Sequence, residues 1–143
     1  MLESRAMFEV RLQTYWGDAD AAGIVFFPNY FKFVAQAEEE LYRASHITRD
    51  ELFAKHHISI PRVEVYAKFN IPIRNGAAIR VRLTPSFPRD KAVRYEFEIF
   101  DDRGLQKLSE GYVTAVCVDR TRFEPIAMPA EIREAIAGAQ ASQ

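Results

Sequence analysis

From Phe8 to Gln13 apolar and polar residues alternate, with Phe8, Val10 and Leu12 set against Glu9, Arg11 and Gln13. A period of two predicts a half-buried strand over residues 7–15. The stretch YWGDADAAGIVFFPNYFKF, Tyr15 to Phe33, then breaks the alternation with two acids, a Gly and a Pro. From Pro28 the period becomes helical: Tyr30, Phe33, Val34, Ala37, Leu41 and Ala44 share one face, and Lys32, Gln36, Glu39, Glu40 and Arg43 the other. This predicts one long amphipathic helix, with Pro28 in its first turn, where a missing N–H costs nothing. A second, short helix is predicted to open at Thr48, because Glu51 three residues on completes a capping box. Beyond Ile58 every second position is apolar, from Val63 through Val65, Ala67, Phe69 and Ile71 to Ile73, and Asn75-Gly76 marks a turn. Three further alternating runs follow: Ile79 to Leu83, Val93 to Ile99, and a last one ending near Asp119. The turns FPRDK and DDRG separate them. The small-residue tail AIAGAQASQ is expected to fray.

Short links between successive strands imply an antiparallel meander with one apolar face, and only the long helix can cover it. The expected fold is therefore α+β, in two packed layers. Its exposed strand edges call for pairing with a second copy. The 143 residues, 48% hydrophobic and 27% charged, suffice for one domain with a real core, expected to run from about residue 7 to 130. A net charge of −1, from 19 basic and 20 acidic residues, gives no field that favours nucleic acid or an anionic membrane. The single Cys117 rules out an intrachain disulfide, and His46, His56 and His57 form no metal-ligand spacing with it. No metal is expected. The start MLESRAMFEV is too polar for a signal peptide, and nothing approaches the ~20 apolar residues of a membrane span. A soluble, cytoplasmic protein is expected.

Taken residue by residue, the bend has ordinary readings. An Asp before a helix is commonly a cap or Asx-turn acceptor, which applies to Asp18 and Asp20 alike. Gly23 suits a turn. Phe26, Phe27, Tyr30, Phe31 and Phe33 suit a core, and Asn29 suits a helix start. Glu38, Glu39 and Glu40 read as a solvated helix face, Glu64 as a polar strand position, and Cys117 as a small buried hydrophobe. The histidines sit near helix ends, where the dipole favours them.

Together, the motif GDADAAGIVFFPNYFKF, the long helix after it and the meander ending AVCVD resemble the 4-hydroxybenzoyl-CoA thioesterase-like branch of the hot-dog superfamily. The resemblance covers roughly residues 7–130. It implies a hot-dog fold, in which a long central helix is wrapped by a curved antiparallel sheet. It also implies a homodimer or homotetramer with active sites at the subunit interface, and hydrolysis of an acyl-CoA thioester. No separate cofactor is implied, because coenzyme A is part of the substrate. The second acid of the motif, Asp20, takes the catalytic carboxylate's place as nucleophile or as base for water, and Asp18 is not assigned the chemistry. The oxyanion donor falls on a backbone N–H just before Pro28, that of Phe27, beside the positive end of the helix. Gly23 lets the backbone approach the substrate. Asn29 and Tyr30 are placed at the active-site loop, and Phe31 and Phe33 divide between core and acyl pocket. Arg89 and Lys91, in the turn FPRDKAV, take the place of the cations that hold coenzyme A phosphates. Arg62, Arg80 and Arg82 lie on polar strand faces and serve there or face water.

Three departures narrow the substrate. No His occupies Phe27 or Pro28, as it does in Tol-Pal-associated relatives. Ala35 stands where the 4-hydroxybenzoyl enzyme has the acid that reads the ring hydroxyl, and Ile60 stands where that enzyme has a hydroxyl residue before its Pro. An aromatic acyl group without that hydroxyl, or a short to medium aliphatic one, is therefore expected. Two alternatives remain. A noncatalytic acyl-CoA or acyl-carrier-protein binding module would keep the pocket without depending on Asp20, and a hot-dog dehydratase or hydratase would need a His near the acid, which the motif lacks.

Overall fold

The long helix and the strands form where the periodicity puts them, and the sheet order is what the sequence did not reveal. The computed structural model describes residues 7–139. In chain order the elements are β1 (Phe8–Gln13), α1 (Asn29–Arg43), α2 (Arg49–His56), β2 (Ile58–Ser59) and β3 (Arg62–Phe69). Then come β4 (Ala78–Arg89), β5 (Ala92–Asp101), β6 (Lys107–Val116), β7 (Val118–Asp119) and α3 (Ala130–Gly138). The large strands make one five-stranded antiparallel sheet in the order β1-β4-β5-β6-β3, and β2 pairs with β7. The α+β class is as expected.

Alternation fixes which face is apolar. Ile79, Val81 and Leu83 of β4 and Val93, Tyr95, Phe97 and Ile99 of β5 are buried, and they pack with Phe33, Val34, Ala37 and Leu41 of α1 in one core. Each such side chain contributes roughly 1.5–3 kcal/mol on leaving water. The predicted capping box also forms: the Thr48 hydroxyl accepts the Glu51 N–H at 3.2 Å, and the Glu51 carboxylate accepts the Thr48 N–H at 3.3 Å. Pro85 is tolerated within β4 because β1 pairs only with Ala78–Leu83, so no β1 acceptor faces Pro85.

The meander is corrected in one respect. β3 does not pair with β4; it pairs with β6 at the far edge, and it ends at Phe69 rather than Ile73. The Asn75-Gly76 turn therefore closes no hairpin, although Gly76 does take a positive φ of 79°. Residues 70–77 instead cross from edge strand β3 to β4, which lies next to the opposite edge strand β1. The N–H groups of Asn70 and Ile71 bind Leu108 O at 2.9 and 3.1 Å, and Thr14 N–H binds Ala77 O at 3.1 Å. Between these ends the segment runs along the bend: Val25 N–H donates to Ile73 O at 2.8 Å, and Asn75 N–H to Gly23 O at 3.0 Å.

The tail is also corrected. Residues 135–138 do not fray but complete α3, which sets Ile132 and Ile136 into the core with no exposed surface. Residues 140–143 lie outside the described residues, as does most of the polar N-terminus. No helix of the described chain is long and apolar enough to cross a membrane, and no cluster of His, Cys, Asp and Glu among the described residues could hold a metal ion.

Candidate active site

The bend between β1 and α1 is organised around Asp18. A single 3₁₀ turn, Trp16–Asp18, follows Tyr15. The Asp18 carboxylate accepts the Tyr15 N–H at 2.9 Å and an ion pair from the Lys32 ammonium, one turn into α1. The carbonyl of Asp18 accepts the Phe26 N–H at 2.9 Å and the Asn29 side-chain amide at 2.8 Å. Burial alone would raise this carboxyl, but the Lys32 ammonium and the Tyr15 N–H outweigh it and hold its pKa below the usual carboxylate range. Asp18 is 5% exposed, so both its side chain and its carbonyl are consumed in tying the bend to the helix.

Asp20 has the opposite surroundings. Its N–H donates to Ile24 O at 2.9 Å and its carbonyl accepts the Gly23 N–H at 3.1 Å, so the backbone is held in a tight turn. Gly23 closes the turn at φ 79°, a conformation that strains any side chain. One carboxylate oxygen accepts the Ala22 N–H at 2.8 Å, and the other has no partner among the described residues. The side chain is exposed and, with Gly23, Trp16, Gly17, Ala19, Ala21 and Asn75, lines a cavity of about 520 Å³.

At the start of α1 most first-turn donors are already taken: Asn29, Tyr30 and Phe31 N–H bind the carbonyls of Phe26, Phe27 and Pro28. Pro28 has no N–H. The Phe27 N–H is left without a partner among the described residues, at the positive end of a 15-residue helix. The Phe27 side chain is exposed and meets Phe69, from the end of β3.

The remaining expected residues divide. Tyr30 is buried, and its hydroxyl accepts the Ile73 N–H at 3.3 Å, which fixes the crossing segment to the helix. Phe33 is core, and Phe31 is half-buried against Phe97. Ala35 is half-buried. Ile60, Arg89 and Lys91 lie at the other end of the sheet: β4 begins beside the bend and ends at Arg89, roughly 35 Å of strand away. One chain thus brings Asp20, Gly23, Phe27, Asn29 and Tyr30 together, and leaves Ile60, Arg89 and Lys91 apart from them.

At that far end Glu38 departs from the solvated face read from the sequence. It is 2% exposed and accepts both guanidinium nitrogens of Arg62, with Arg49 4.0 Å away. Burial alone would lower the Arg62 pKa, but the Glu38 carboxylate raises it. The buried Tyr42 and Tyr95 hydroxyls lie near each other and near this pair, yet miss hydrogen-bond geometry. Burial and the Glu38 charge raise both phenols. With Ile60, Pro61, Phe53 and Phe123, the ion pair lines a second cavity of about 400 Å³. Arg80 and Arg82 are engaged elsewhere, both on Glu9. Cys117 is buried as expected, and burial pushes its thiol up to about 11.

Sequence reasoning missed Phe69, Trp16 and Asn75 at the bend. Phe69 shares the parity of Val63 and Val65, so alternation assigned it to a core face. Only the pairing of β3 with β6 brings it to the start of α1.

A family model described as the thioesterase-like superfamily matches residues 14–136. The acyl-CoA thioesterase YbgC of Haemophilus influenzae is 24% identical over 135 residues, covering 94% of this chain and 96% of that protein. A 1,4-dihydroxy-2-naphthoyl-CoA hydrolase of Crocosphaera subtropica is 28% identical over 94 residues, covering 66% and 69%. Among solved structures, a 1,4-dihydroxy-2-naphthoyl-CoA thioesterase from Synechocystis superposes with a TM-score of 0.84 at 22% identity, over 91% of this chain and 95% of that one.

Proposed function

The chain belongs to the thioesterase-like superfamily and is a thioester hydrolase, and we propose that it cleaves acyl-CoA thioesters with the Asp20 carboxylate and the Phe27 N–H. One observation carries this reading. Within a single bend, an exposed carboxylate with an uncommitted oxygen lies on the same short loop as an unpaired backbone donor at a helix N-terminus. The carboxylate attacks the carbonyl carbon, or takes a proton from the water that does. The carbonyl oxygen gains negative charge against the Phe27 N–H, and the C–S bond breaks to release the coenzyme A thiolate. On the base route Asp20 passes the proton taken from water to that thiolate. On the nucleophilic route the thiolate is protonated by solvent, and water hydrolyses the acyl-Asp20 anhydride to the free acid. Asp18 positions this machinery by fixing the bend to α1. No separate cofactor enters the scheme. The acyl group is an aromatic one without the ring hydroxyl, for which Ala35 offers no partner, or a short to medium aliphatic one. A single buried thiol suits a reducing compartment, which favours the cytoplasm.

The site is completed by a second copy. β3 is an edge strand whose apolar residues are exposed, with Val63 at 59% and Val65 at 48%. Antiparallel pairing of two such edges about a two-fold axis sets the bend end of one protomer beside the Ile60 end of its partner. Ile60, Arg89 and Lys91 would then serve the partner's Asp20, with the two cations on the coenzyme A phosphates. Two such dimers pair further if the protein is a tetramer.

The test is thiol release from a panel of benzoyl, substituted benzoyl, phenylacetyl and aliphatic acyl-CoAs by wild type and Asp20→Asn. A loss of about 10²–10⁴-fold in kcat, with substrate binding retained, is expected. Turnover indifferent to Asp20→Asn would sink the mechanism, and no turnover on any substrate would make the protein a binding module.

A further inference from the structure

The structure carries a line of aromatic rings beside the bend that the scheme above does not use. Phe26 and Phe27 meet edge-on at 5.4 Å and 66°, Phe27 and Phe69 at 6.3 Å and 82°, and Phe69 and Tyr30 at 4.8 Å and 85°. Tyr30 anchors the line in the core through its 3% exposure and its hydrogen bond from Ile73 N–H. Phe69 is equally fixed, because it ends a strand whose register runs opposite Ser109, and the Ser109 hydroxyl donates to Lys68 O at 2.8 Å. Yet Phe69 is 47% exposed, Phe26 47% and Phe27 61%. These exposures are those of the single chain. The edge pairing proposed above sets this end of β3 beside the partner's Ile60 end, so the rings lie at the seam where the site is completed. Aromatic surface on a fixed strand end there marks a place where something binds.

The backbone says what binds. Phe27 supplies both the unpaired N–H and one of the open rings, so a carbonyl oxygen placed about 3 Å from that N–H puts the attached acyl group against the same residue. Phe69 is the next ring in the line. We propose that Phe69, with Phe27, is a specificity-determining residue that selects an aromatic acyl group over an aliphatic one of the same size. The inference rests on the assignment of the Phe27 N–H as oxyanion donor. Rings meet best edge to face, so a flat acyl ring entering the line continues its perpendicular pattern, whereas a saturated ring fills the same volume without that contact. Each such contact is worth roughly two- to tenfold in selectivity.

The test compares benzoyl-CoA with cyclohexanecarbonyl-CoA as the ratio of kcat/KM for the full chain and for Phe69→Leu and Phe69→Tyr. Wild type is expected to favour benzoyl by several fold. Phe69→Leu should bring the ratio close to one by lowering kcat/KM for benzoyl-CoA more than for cyclohexanecarbonyl-CoA, and Phe69→Tyr should retain the preference. Because the ratio is taken within one preparation, a variant that folds incompletely loses both rates together and leaves it readable. A wild-type ratio near one, or a ratio unchanged in Phe69→Leu, overturns the proposal and leaves the thioesterase reading standing: Phe69 would then only cover Tyr30. Failure of the wild type to hydrolyse either substrate overturns this proposal, and the thioesterase reading falls with it only if the wider acyl-CoA panel is inert as well.

Discussion

Asp18 and Asp20 stand two residues apart and differ in what surrounds them. The Asp18 carboxylate is 7% exposed and holds the Lys32 ammonium and the Tyr15 N–H, whereas Asp20 keeps one oxygen uncommitted. Asp18→Asn is therefore expected to cost stability first and activity only through a loosened bend. Losing charge-assisted hydrogen bonds of this kind costs about 1.5–3 kcal/mol at neutral pH. The folded pKa of Asp18 lies below its unfolded value. Its contribution is thus present above the unfolded value of about 4 and fades as pH falls through the folded one. Urea unfolding of wild type and Asp18→Asn should show a gap at pH 7 that narrows towards pH 2, and a gap independent of pH would exclude the ionised pair as its source. Nothing in the spacing of the two acids assigns these roles, since both suit a turn before a helix. Only the family resemblance distinguished them in the sequence. Glu38 departs from its sequence reading for a related reason: its neighbours Glu39 and Glu40 are solvated, and the residue that neutralises it, Arg62, is remote in sequence and reaches it only once the start of β3 comes beside α1.

At the scale of elements, β3 is an edge strand like β1, held within the chain on one side only, by β6. Gly111 in β6 makes that approach possible. A Cβ there would lie 1.9 Å from Tyr66 O and 2.9 Å from the Ala67 Cα, both backbone atoms that cannot swing away. Gly111→Ala must therefore push β3 off its neighbour, at a cost of roughly 1–3 kcal/mol typical of overpacking. Hydrogen exchange should show lost protection in residues 62–69 while β4 and β5 keep theirs. Selectivity for aromatic acyl groups should fall with it, because Phe69 rides on that strand. Unchanged protection in β3 would contradict this account. The elements themselves were legible: period two and period 3.6 located β1, α1 and the large strands, and Thr48 with Glu51 located α2. Their partners were not, because alternation records which face a residue occupies and says nothing of the neighbour along the sheet. The crossing of residues 70–77 reads as a hairpin until its hydrogen bonds to the bend are known. α3 was missed in part because its small residues carry little helical pattern beyond Ile132 and Ile136.

For the whole molecule, the division of the candidate residues between two ends of one sheet is itself an argument about assembly. Asp20 and Phe27 lie where β4 begins, and Arg89 lies where it ends. A carbonyl held at the first group cannot share its coenzyme A with cations roughly 35 Å of strand away on the same chain, since the strand spans about 3.3 Å per residue. The proposed edge pairing through β3 would remove the difficulty, since each site would then take one end from each protomer. Subunit mixing can test this directly. Asp20→Asn alone is expected to be inactive, and Arg89→Ala with Lys91→Ala is expected to raise KM strongly at modest cost to kcat. In a mixed dimer one site joins an intact bend to intact cations, and the other carries both lesions. Equal amounts of the two variants, dissociated and reassembled, should then recover about a quarter of wild-type turnover at low substrate, because half the dimers are mixed and half their sites are whole. If Arg89 and Lys91 served the Asp20 of their own chain, a mixed dimer would hold one site lacking the carboxylate and one lacking the cations. Mixing would then give no more than the sum of the separate variants. The two arrangements differ in no residue, only in which chain supplies it, and the recovered activity distinguishes them.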